Sequence, residues 1–416
     1  MKIVHLSQSD IEGGAARAAY KLHKALCEAG IDSHMLVQSK ASGTSSVTTP
    51  YNTHIKKIIA KIRPLLDRVV LAFFYKKRSR TLFSPSILGF SKIIDEINKL
   101  NPDIIHLHWI CGGMMNMNDL AKLKKYPIIW SLCDMWPITG GCHYDDWCER
   151  YRFGCGNCKV LGSSYKYDLS YFVFRKKKKA YESLSKIIFA AKSRWIQECA
   201  QKSLLCVADN VVYLPNLIDT DLFSPMRMAT AKEILRLDAE KKYVLFGADG
   251  ATQDPRKGFQ ELCEALNNFL EDERIEFLVF GAEAPEKSIF PVNKIHYLGR
   301  IHDDVTLKII YCSASVMVVP SLQENLANTI MESLACGTPV VAFDIGGNSD
   351  MIEHLHNGYL ANPFDIMDLT RGIEYILNAN SSAQLSQNAR EIICTNFSTS
   401  VMVKQYQNIY AKLLQE

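Results

Sequence analysis

What this 416-residue chain lacks narrows it first. No apolar run is long enough to cross a bilayer. The longest beside a charged flank, Val69 to Tyr75, falls far short of the ~20 residues a spanning helix needs. Charge of one sign is also missing: 48 basic residues face 44 acidic ones, a net of +4. Composition therefore gives no reason to expect a nucleic-acid partner. A secretory leader is not read at the start. Lys2 is followed by a short apolar run and then Ser7-Gln8-Ser9-Asp10, too polar for an export signal and suited to a first buried strand. With no export signal, the thirteen cysteines are expected as reduced thiols in a cytoplasmic compartment, not as a disulfide scaffold. Length alone points to two domains of ordinary size.

What is present is organised around Pro320 to Phe343, PSLQENLANTIMESLACGTPVVAF. Val316-Met317-Val318-Val319 reads as a buried strand, and a loop follows from Ser321 to Ala327. Ile330, Met331, Leu334 and Ala335 then recur at helical spacing until Gly337-Thr338-Pro339 stops the helix. Val340 to Phe343 is the next strand. A strand–loop–helix–strand unit belongs to a parallel sheet, which binds ligands at the carboxyl ends of its strands. The loop carries Glu324 and the helix carries Glu332. The first-turn N–H groups around Asn328 and Thr329 suit an anionic phosphate. The two carboxylates can accept hydrogen bonds from sugar hydroxyls. The opposing reading is an ordinary surface helix with two solvated glutamates.

Glu324, seven residues and Glu332, with a strand before them and CGTPVVAFDIGG after them, resemble the signature of family-4 retaining glycosyltransferases of the GT-B fold. That resemblance implies two Rossmann-like, doubly wound parallel-sheet α/β domains facing each other across a cleft. Residues 1–214 would form the acceptor-side domain and 215–395 the nucleotide-sugar domain, with 396–416 a helix returning to the first. Pro215-Asn216 through Phe223-Ser224-Pro225 resembles the family's interdomain crossover, with Leu217 in place of a glycine. The resemblance assigns the donor hexose to Glu324, with Asn325 and Leu326 beside it, and the nucleotide ribose to Glu332.

The remaining donor groups follow the same pattern. Gly13 and Gly14 end a loop after the first strand, where glycines let a backbone approach a ligand. In the family such a loop faces the donor diphosphate. Arg256 and Lys257 precede a helix and would put cations beside the pyrophosphate. Relatives often carry an arginine where this chain has Ala248, which leaves more to Arg256. Backbone after Ile295 to Arg300 binds the nucleobase in the family, making Ile301 the candidate. No Asp-x-Asp motif occurs in a donor-site context, so transfer without a catalytic divalent metal is expected.

On the acceptor side, Pro102 to His108 resembles the family's P-D-[IV]-[IV]-H-x-H, with His108 expected at a strand end facing the cleft and His106 equally suited to a structural role. Trp130 to Tyr144, WSLCDMWPITGGCHY, resembles a bacterial subgroup linked to surface polysaccharides. Many relatives place a histidine before the aspartate; here Cys133 precedes Asp134. A thiol does not reproduce an imidazole's donor and acceptor, so His143, His108 or Asp134 alone stand as candidates for its work. The implied acceptor is a lipid-linked or oligosaccharide precursor of a capsule, O-antigen or exopolysaccharide. Two other classes stand beside this reading: a GT-B nucleotide-sugar epimerase and a non-catalytic nucleotide-sugar-binding subunit.

Two segments carry signals of their own. Cys142, Cys148, Cys155 and Cys158 lie within seventeen residues, the last two as C-x2-C around Gly156-Asn157. Such a knuckle lets two thiolates reach one tetrahedral metal. A structural zinc site, free thiols and disulfides are the three readings, in that order. Residues 55–80 alternate apolar and basic side chains at helical spacing, interrupted by Pro64. Either this segment meets an anionic membrane, placing the protein at the inner face of the plasma membrane, or its apolar face packs on its own domain while Lys and Arg stay solvated.

Overall fold

The computed structural model describes residues 1–89, 91–248, 250, 252–283 and 294–415. The chain divides into two compact units, Met1–Pro215 with Val403–Glu416, and Asn216–Met402. The junction falls within the Pro215-Asn216 dipeptide. The last helix, Thr399–Gln415, starts in the second unit's sequence and carries Val403 onward into the first.

In the first unit, β1 (Lys2–Ser9), β2 (Asp32–Ser39), β3 (Val47–Thr48), β4 (Ile104–Leu107), β5 (Ile128–Leu132), β6 (Ile187–Ala191) and β7 (Val211–Tyr213) form one parallel sheet in the order β3-β2-β1-β4-β5-β6-β7. Side chains alternate across it. Val4, Leu6, Ile105, Leu107, Ile128, Trp130 and Leu132 share one apolar cluster. The opposite face is polar at its centre: His5, Ser7, His106 and Ser131 are all buried there. In register, His5 lies opposite His106.

In the second unit, β8 (Lys242–Gly247), β9 (Ile275–Phe280), β10 (Ile295–Tyr297), β11 (Val316–Val319), β12 (Val340–Phe343) and β13 (Gly358–Ala361) form a second parallel sheet, β10-β9-β8-β11-β12-β13. Here both faces are apolar. Tyr243, Leu245, Met317, Val319 and Val340 pack on one side, and Val244, Phe246, Val316, Val318 and Val341 on the other. Burial on both faces is why these strands read as unbroken apolar runs. In each sheet the winding reverses between the first strand and the fourth. Loops leaving the carboxyl ends there, after β1 and β4 and after β8 and β11, border the crevice where such sheets take ligands.

The helix His54–Asp67 departs from the expected interruption and from one of the two readings of its apolar face. It is not interrupted at Pro64 but runs on to Asp67 and breaks at Arg68, before Val69–Phe74. Proline removes the N–H that would bond to Ala60, and Gln38 Nε2 donates to that Ala60 carbonyl instead, at 3.3 Å. Nor does the helix bury its apolar face. Its buried residues are Ala60 and Asp67, and Arg63 donates to the Gly113 and Gly89 carbonyls at 2.8 and 2.7 Å. Asp67 accepts from the N–H groups of Ser86, Ile87 and Leu88. The inward stripe is polar, and Ile55, Ile58, Ile59, Ile62, Leu65 and Leu66 are exposed. The reading in which this apolar face packs on its own domain is therefore corrected. No described helix is long and apolar enough to cross a membrane.

Gly346 follows β12 with φ of +56°, and a Cβ there would lie 1.8 Å from the Glu324 carbonyl oxygen. Gly346→Ala is expected to lower stability by roughly 1–3 kcal/mol in urea unfolding, from backbone strain and the displaced loop. Gly43→Ala, where nothing lies within 4 Å of the new methyl, should be close to neutral.

Candidate active site

In the second unit, the loops after β8 and β11 are joined backbone to backbone. Asp254 caps a short turn, Pro255–Lys257, by accepting the Arg256 N–H at 3.0 Å. Gly258 follows with φ of +71°, and a Cβ there would sit 1.8 Å from the Pro320 carbonyl oxygen. The Leu322 N–H donates to the Arg256 carbonyl at 2.8 Å. This contact brings Lys257 Nζ to 2.7 Å from Glu324 Oε2, with the side chains 23% and 10% exposed. Two residues 67 apart in sequence thus form one ion pair. Arg256 pairs with Asp254 at 2.5 Å. Both cations expected beside a diphosphate therefore rest on carboxylates.

Glu324 is held from several sides. Its Oε1 accepts the Asn325 N–H at 3.1 Å, and the Gly347 N–H donates to the Asn325 carbonyl at 2.8 Å. Asn325 and Leu326 are buried. The helix Asn328–Ala335 starts directly after this loop. Asn328 Oδ1 accepts from Asn216 Nδ2 at 3.1 Å, and Thr329 is half-buried. Glu332 is buried inside this helix and accepts the Tyr311 hydroxyl at 3.0 Å. Ile301 packs at the margin of the apolar cluster beneath.

In the first unit, Gly13 ends the loop after β1 with φ of +88°, and nothing lies within 4 Å of where its Cβ would be. Asp10 fixes this loop. Its carboxylate accepts from the Ile11, Ala41 and Ser42 N–H groups at 2.9–3.1 Å, and Gly14 opens the helix. His108 follows β4 at the strand's end, and its ring is buried. Its Nε2 lies 2.9 Å from His5 Nδ1, and its ring stacks on His106 at 4.2 Å. His106 uses both ring nitrogens, on Tyr410 Oη at 2.7 Å and Ser131 Oγ at 2.8 Å. Burial pushes all three imidazoles below their ordinary range, and the nearby Lys192 charge pushes the same way.

Lys192, at the end of β6, was not anticipated. It is buried, donates to Tyr406 Oη at 2.6 Å and the Leu214 carbonyl at 3.1 Å, and is lowered by burial to about 8. A lysine between an apolar strand and the helix-capping Ser193 was the available signal. Its charge also acts on Cys133, whose thiol burial pushes up to about 12.

Asp134 and His143, separate candidates in sequence, form one unit. His143 Nδ1 lies 2.6 Å from Asp134 Oδ2, and His143 Nε2 lies 2.8 Å from Ser84 Oγ. The Trp109 indole N–H donates to the same carboxylate at 3.1 Å. Asp134 is 13% exposed and His143 3%. Burial pushes the Asp134 carboxyl up, but the His143 charge and hydrogen bond and the Trp136 N–H outweigh it, leaving it below the usual range. The four cysteines Cys142, Cys148, Cys155 and Cys158 line one small cavity in the next segment.

A family model described as Glycosyltransferase Family 4 matches residues 12–222, more than half of the chain. The protein belongs to glycosyltransferase family 4. A second model, Glycosyl transferases group 1, matches residues 241–379. WcaC of Escherichia coli K12, named as a colanic acid biosynthesis glycosyl transferase, is 21% identical over 99% of this chain and 100% of its own. Among solved structures, HepE of Anabaena in complex with UDP-glucose matches with a TM-score of 0.66 at 16% identity, over 99% of this chain and 100% of that one. WaaG, a glycosyltransferase involved in lipopolysaccharide biosynthesis, matches at 0.65 and 15%, over 97% and 98%. The two parallel-sheet units are those of the GT-B fold, and the enzyme is a glycosyltransferase with relatives in surface-polysaccharide assembly.

In a double-mutant cycle at pH 7, Asp134→Asn and His143→Ala should be strongly non-additive, with a coupling of about 1–3 kcal/mol. The Asp134 carboxyl is depressed in the fold, so its stabilisation is present above the ordinary carboxylate range and lost as pH falls through the folded value. The cost of Asp134→Asn should therefore shrink in acid. An equal cost at both pH values would show that the pairing contributes nothing.

Proposed function

We propose that this enzyme moves a sugar, with retention, from a nucleotide-diphosphate sugar to a lipid-linked glycan in cell-surface polysaccharide assembly at the inner face of the plasma membrane. The observation that carries the donor reading is the Lys257–Glu324 pair beside the second unit's switch point, with Glu332 one helix further on. Without donor, the two charges neutralise each other. A diphosphate offers Lys257 a stronger anionic partner, which releases Glu324 to accept a hexose hydroxyl. Arg256 and the first turn at Asn328 and Thr329 add positive potential at the phosphates, and Glu332 accepts from the ribose. In this reading the loop ending at Gly13 and Gly14 serves the reacting end, and nothing lies within 4 Å of where a Gly13 Cβ would be. In the proposed step the acceptor oxygen bonds to the anomeric carbon on the face the phosphate leaves. The carbon–oxygen bond to phosphate breaks, and the acceptor proton passes to a leaving-phosphate oxygen. This chain's cations carry the leaving-group charge, so no catalytic divalent ion is invoked. Colanic acid and lipopolysaccharide in the relatives' names support the surface-glycan acceptor.

The outward apolar face of residues 54–74 supports a membrane site. Lys57, Lys61 and Arg68 are exposed between Ile58, Ile62 and Leu65, and Phe73 and Phe74 are 71% and 77% exposed. Apolar wedges beside cations suit an anionic bilayer surface.

The two glutamates should fail differently. Among nucleotide sugars including UDP-glucose, the one that raises the melting temperature names the donor. Glu332→Gln should weaken that donor and its free nucleotide alike, by about 1–3 kcal/mol in calorimetry. Glu324→Gln should leave nucleotide affinity nearly intact and lower kcat. Loss of nucleotide affinity at full kcat in Glu324→Gln would reverse the assignment.

Binding to anionic vesicles should weaken as salt rises. It should fall in a Lys57→Gln, Lys61→Gln, Arg68→Gln variant and in Phe73→Ser, Phe74→Ser. Equal binding to neutral vesicles, or none, would remove the membrane from this reading.

A further inference from the structure

The segment from Thr139 to Ser170 has little regular structure and an unusual backbone. Its described helical piece before Leu169 is the three-residue turn Arg150–Arg152. Five of the ten described non-glycine residues with left-handed backbone fall here: Asp146, Trp147, Glu149, Cys155 and Asn157. Such residues are costly and persist only where the surroundings over-determine them. Cys142, Cys148, Cys155 and Cys158 line a common cavity within this segment, with a free volume of ≈ 10 Å³, about one water-sized sphere. All four are free thiols.

A backbone donor points at one of these sulfurs. The Gly140 N–H lies 3.2 Å from Cys155 Sγ. Such a donor stabilises a thiolate more than a thiol, which is a weak acceptor. The Cys155–Cys158 knuckle is itself tightly held. A Cβ on Gly156 would lie 2.2 Å from the Lys166 carbonyl oxygen, and the Cys158 N–H donates to Asp168 Oδ2 at 2.8 Å.

We propose that Cys142, Cys148, Cys155 and Cys158 bind one zinc ion as a tetrathiolate that holds the Thr139–Ser170 segment in shape. Four thiolates around Zn²⁺ leave a net charge of about −2. Two cations stand near enough to offset it. Lys177 is fully buried, held by the Trp136 and Thr139 carbonyls and the Trp136 ring, and its charge acts on Cys155. Arg150 lines the cavity and acts on Cys148.

Among the described residues, the group whose ligand atoms already lie within 4.8 Å of one another is His5, His106 and His108. It is the weaker site. His106 spends both nitrogens on Tyr410 and Ser131, and the Lys192 charge beside it repels a dication. The four sulfurs are not drawn in to that spacing, so ligation requires their side chains to turn toward the cavity. The consequence reaches the active-site residues. Cys142 pairs with Phe83 in an isolated antiparallel bridge, and the next residues on each strand are His143 and Ser84, which hydrogen-bond each other. The metal would thus brace the segment that delivers His143 to Asp134.

Metal analysis of the purified full chain tests this. About one zinc per chain is expected, and exchange with cobalt should give the intense visible bands of tetrahedral thiolate coordination. Cys148→Ser and Cys158→Ser should each lower zinc content at least severalfold and lower the melting temperature. Cys27→Ser, at an exposed cysteine, should leave both unchanged. If the variants do not fold, thiol modification of the wild-type chain still decides, because zinc should be released in step with the loss of four protected thiols. Zinc-free protein after zinc supplementation, an iron chromophore, a disulfide among the four by mass, or zinc retained in both variants would each overturn the proposal.

Discussion

A parallel strand pair cannot be closed by a tight turn, so each strand must return by a crossover over one face of the sheet. Both sheets here follow that constraint, and most of the molecule follows from it. Covered faces demand apolar strands, and the second sheet complies on both sides. The crossovers leave their loops at the strand ends, and where the winding reverses two of those loops diverge. The groups that define the donor reading, Lys257 and Glu324, sit on such a pair of loops. Gly258 is required where these two loops meet backbone to backbone, and Gly346 where the loop after β12 meets the Glu324 loop. The ion pair is therefore a consequence of sheet topology and of two positions without a Cβ.

The first sheet obeys the same constraint with a different interior. One face is apolar, and the other buries imidazoles, hydroxyls and an ammonium. Such groups are costly to bury unless hydrogen-bonded, and His5 Nε2 and Ser7 Oγ have no hydrogen-bond partner there among the described residues. The last helix supplies much of that satisfaction, since Tyr406 accepts from Lys192 and Tyr410 pairs with His106. A helix from the far end of the chain thus completes the polar interior of the first strands. Cys133 enters this environment, and Lys192 brings a positive charge to it. The Asp134–His143–Ser84 chain lies on the following segment.

Two regions depart from ordinary packing. The helix His54–Asp67 is amphipathic in sequence but docks by its polar stripe, where Arg63 and Asp67 hydrogen-bond backbone carbonyl and N–H groups. Its apolar stripe is left in solvent, an arrangement that makes sense against a second apolar phase. The Thr139–Ser170 segment lacks a sheet or a long helix to hold it, and its left-handed residues and converging cysteines occur together. In both places the local pattern is strong and the surrounding fold decides what it is for.

The sequence by itself determined the sheets, the glutamate loop and the family. Apolar strands, glycine stops and the Glu324–Glu332 spacing are local signals set by short-range sterics and burial, and they survive without tertiary information. The same holds for Gly13, Asn325 and Leu326, each legible as part of a loop. Tertiary structure alone decided what depends on partners distant in sequence. It joined Lys257 to Glu324 and Asp134 to His143 and Ser84. It set His108, which the sequence placed at a strand end, in a buried pairing with His5 from β1. It turned the apolar face of residues 54–67 outward, since periodicity reveals that a helix has two faces but not which one the rest of the chain can cover. It also buried Lys192 beneath Tyr406, a pairing 214 residues apart that no local pattern encodes.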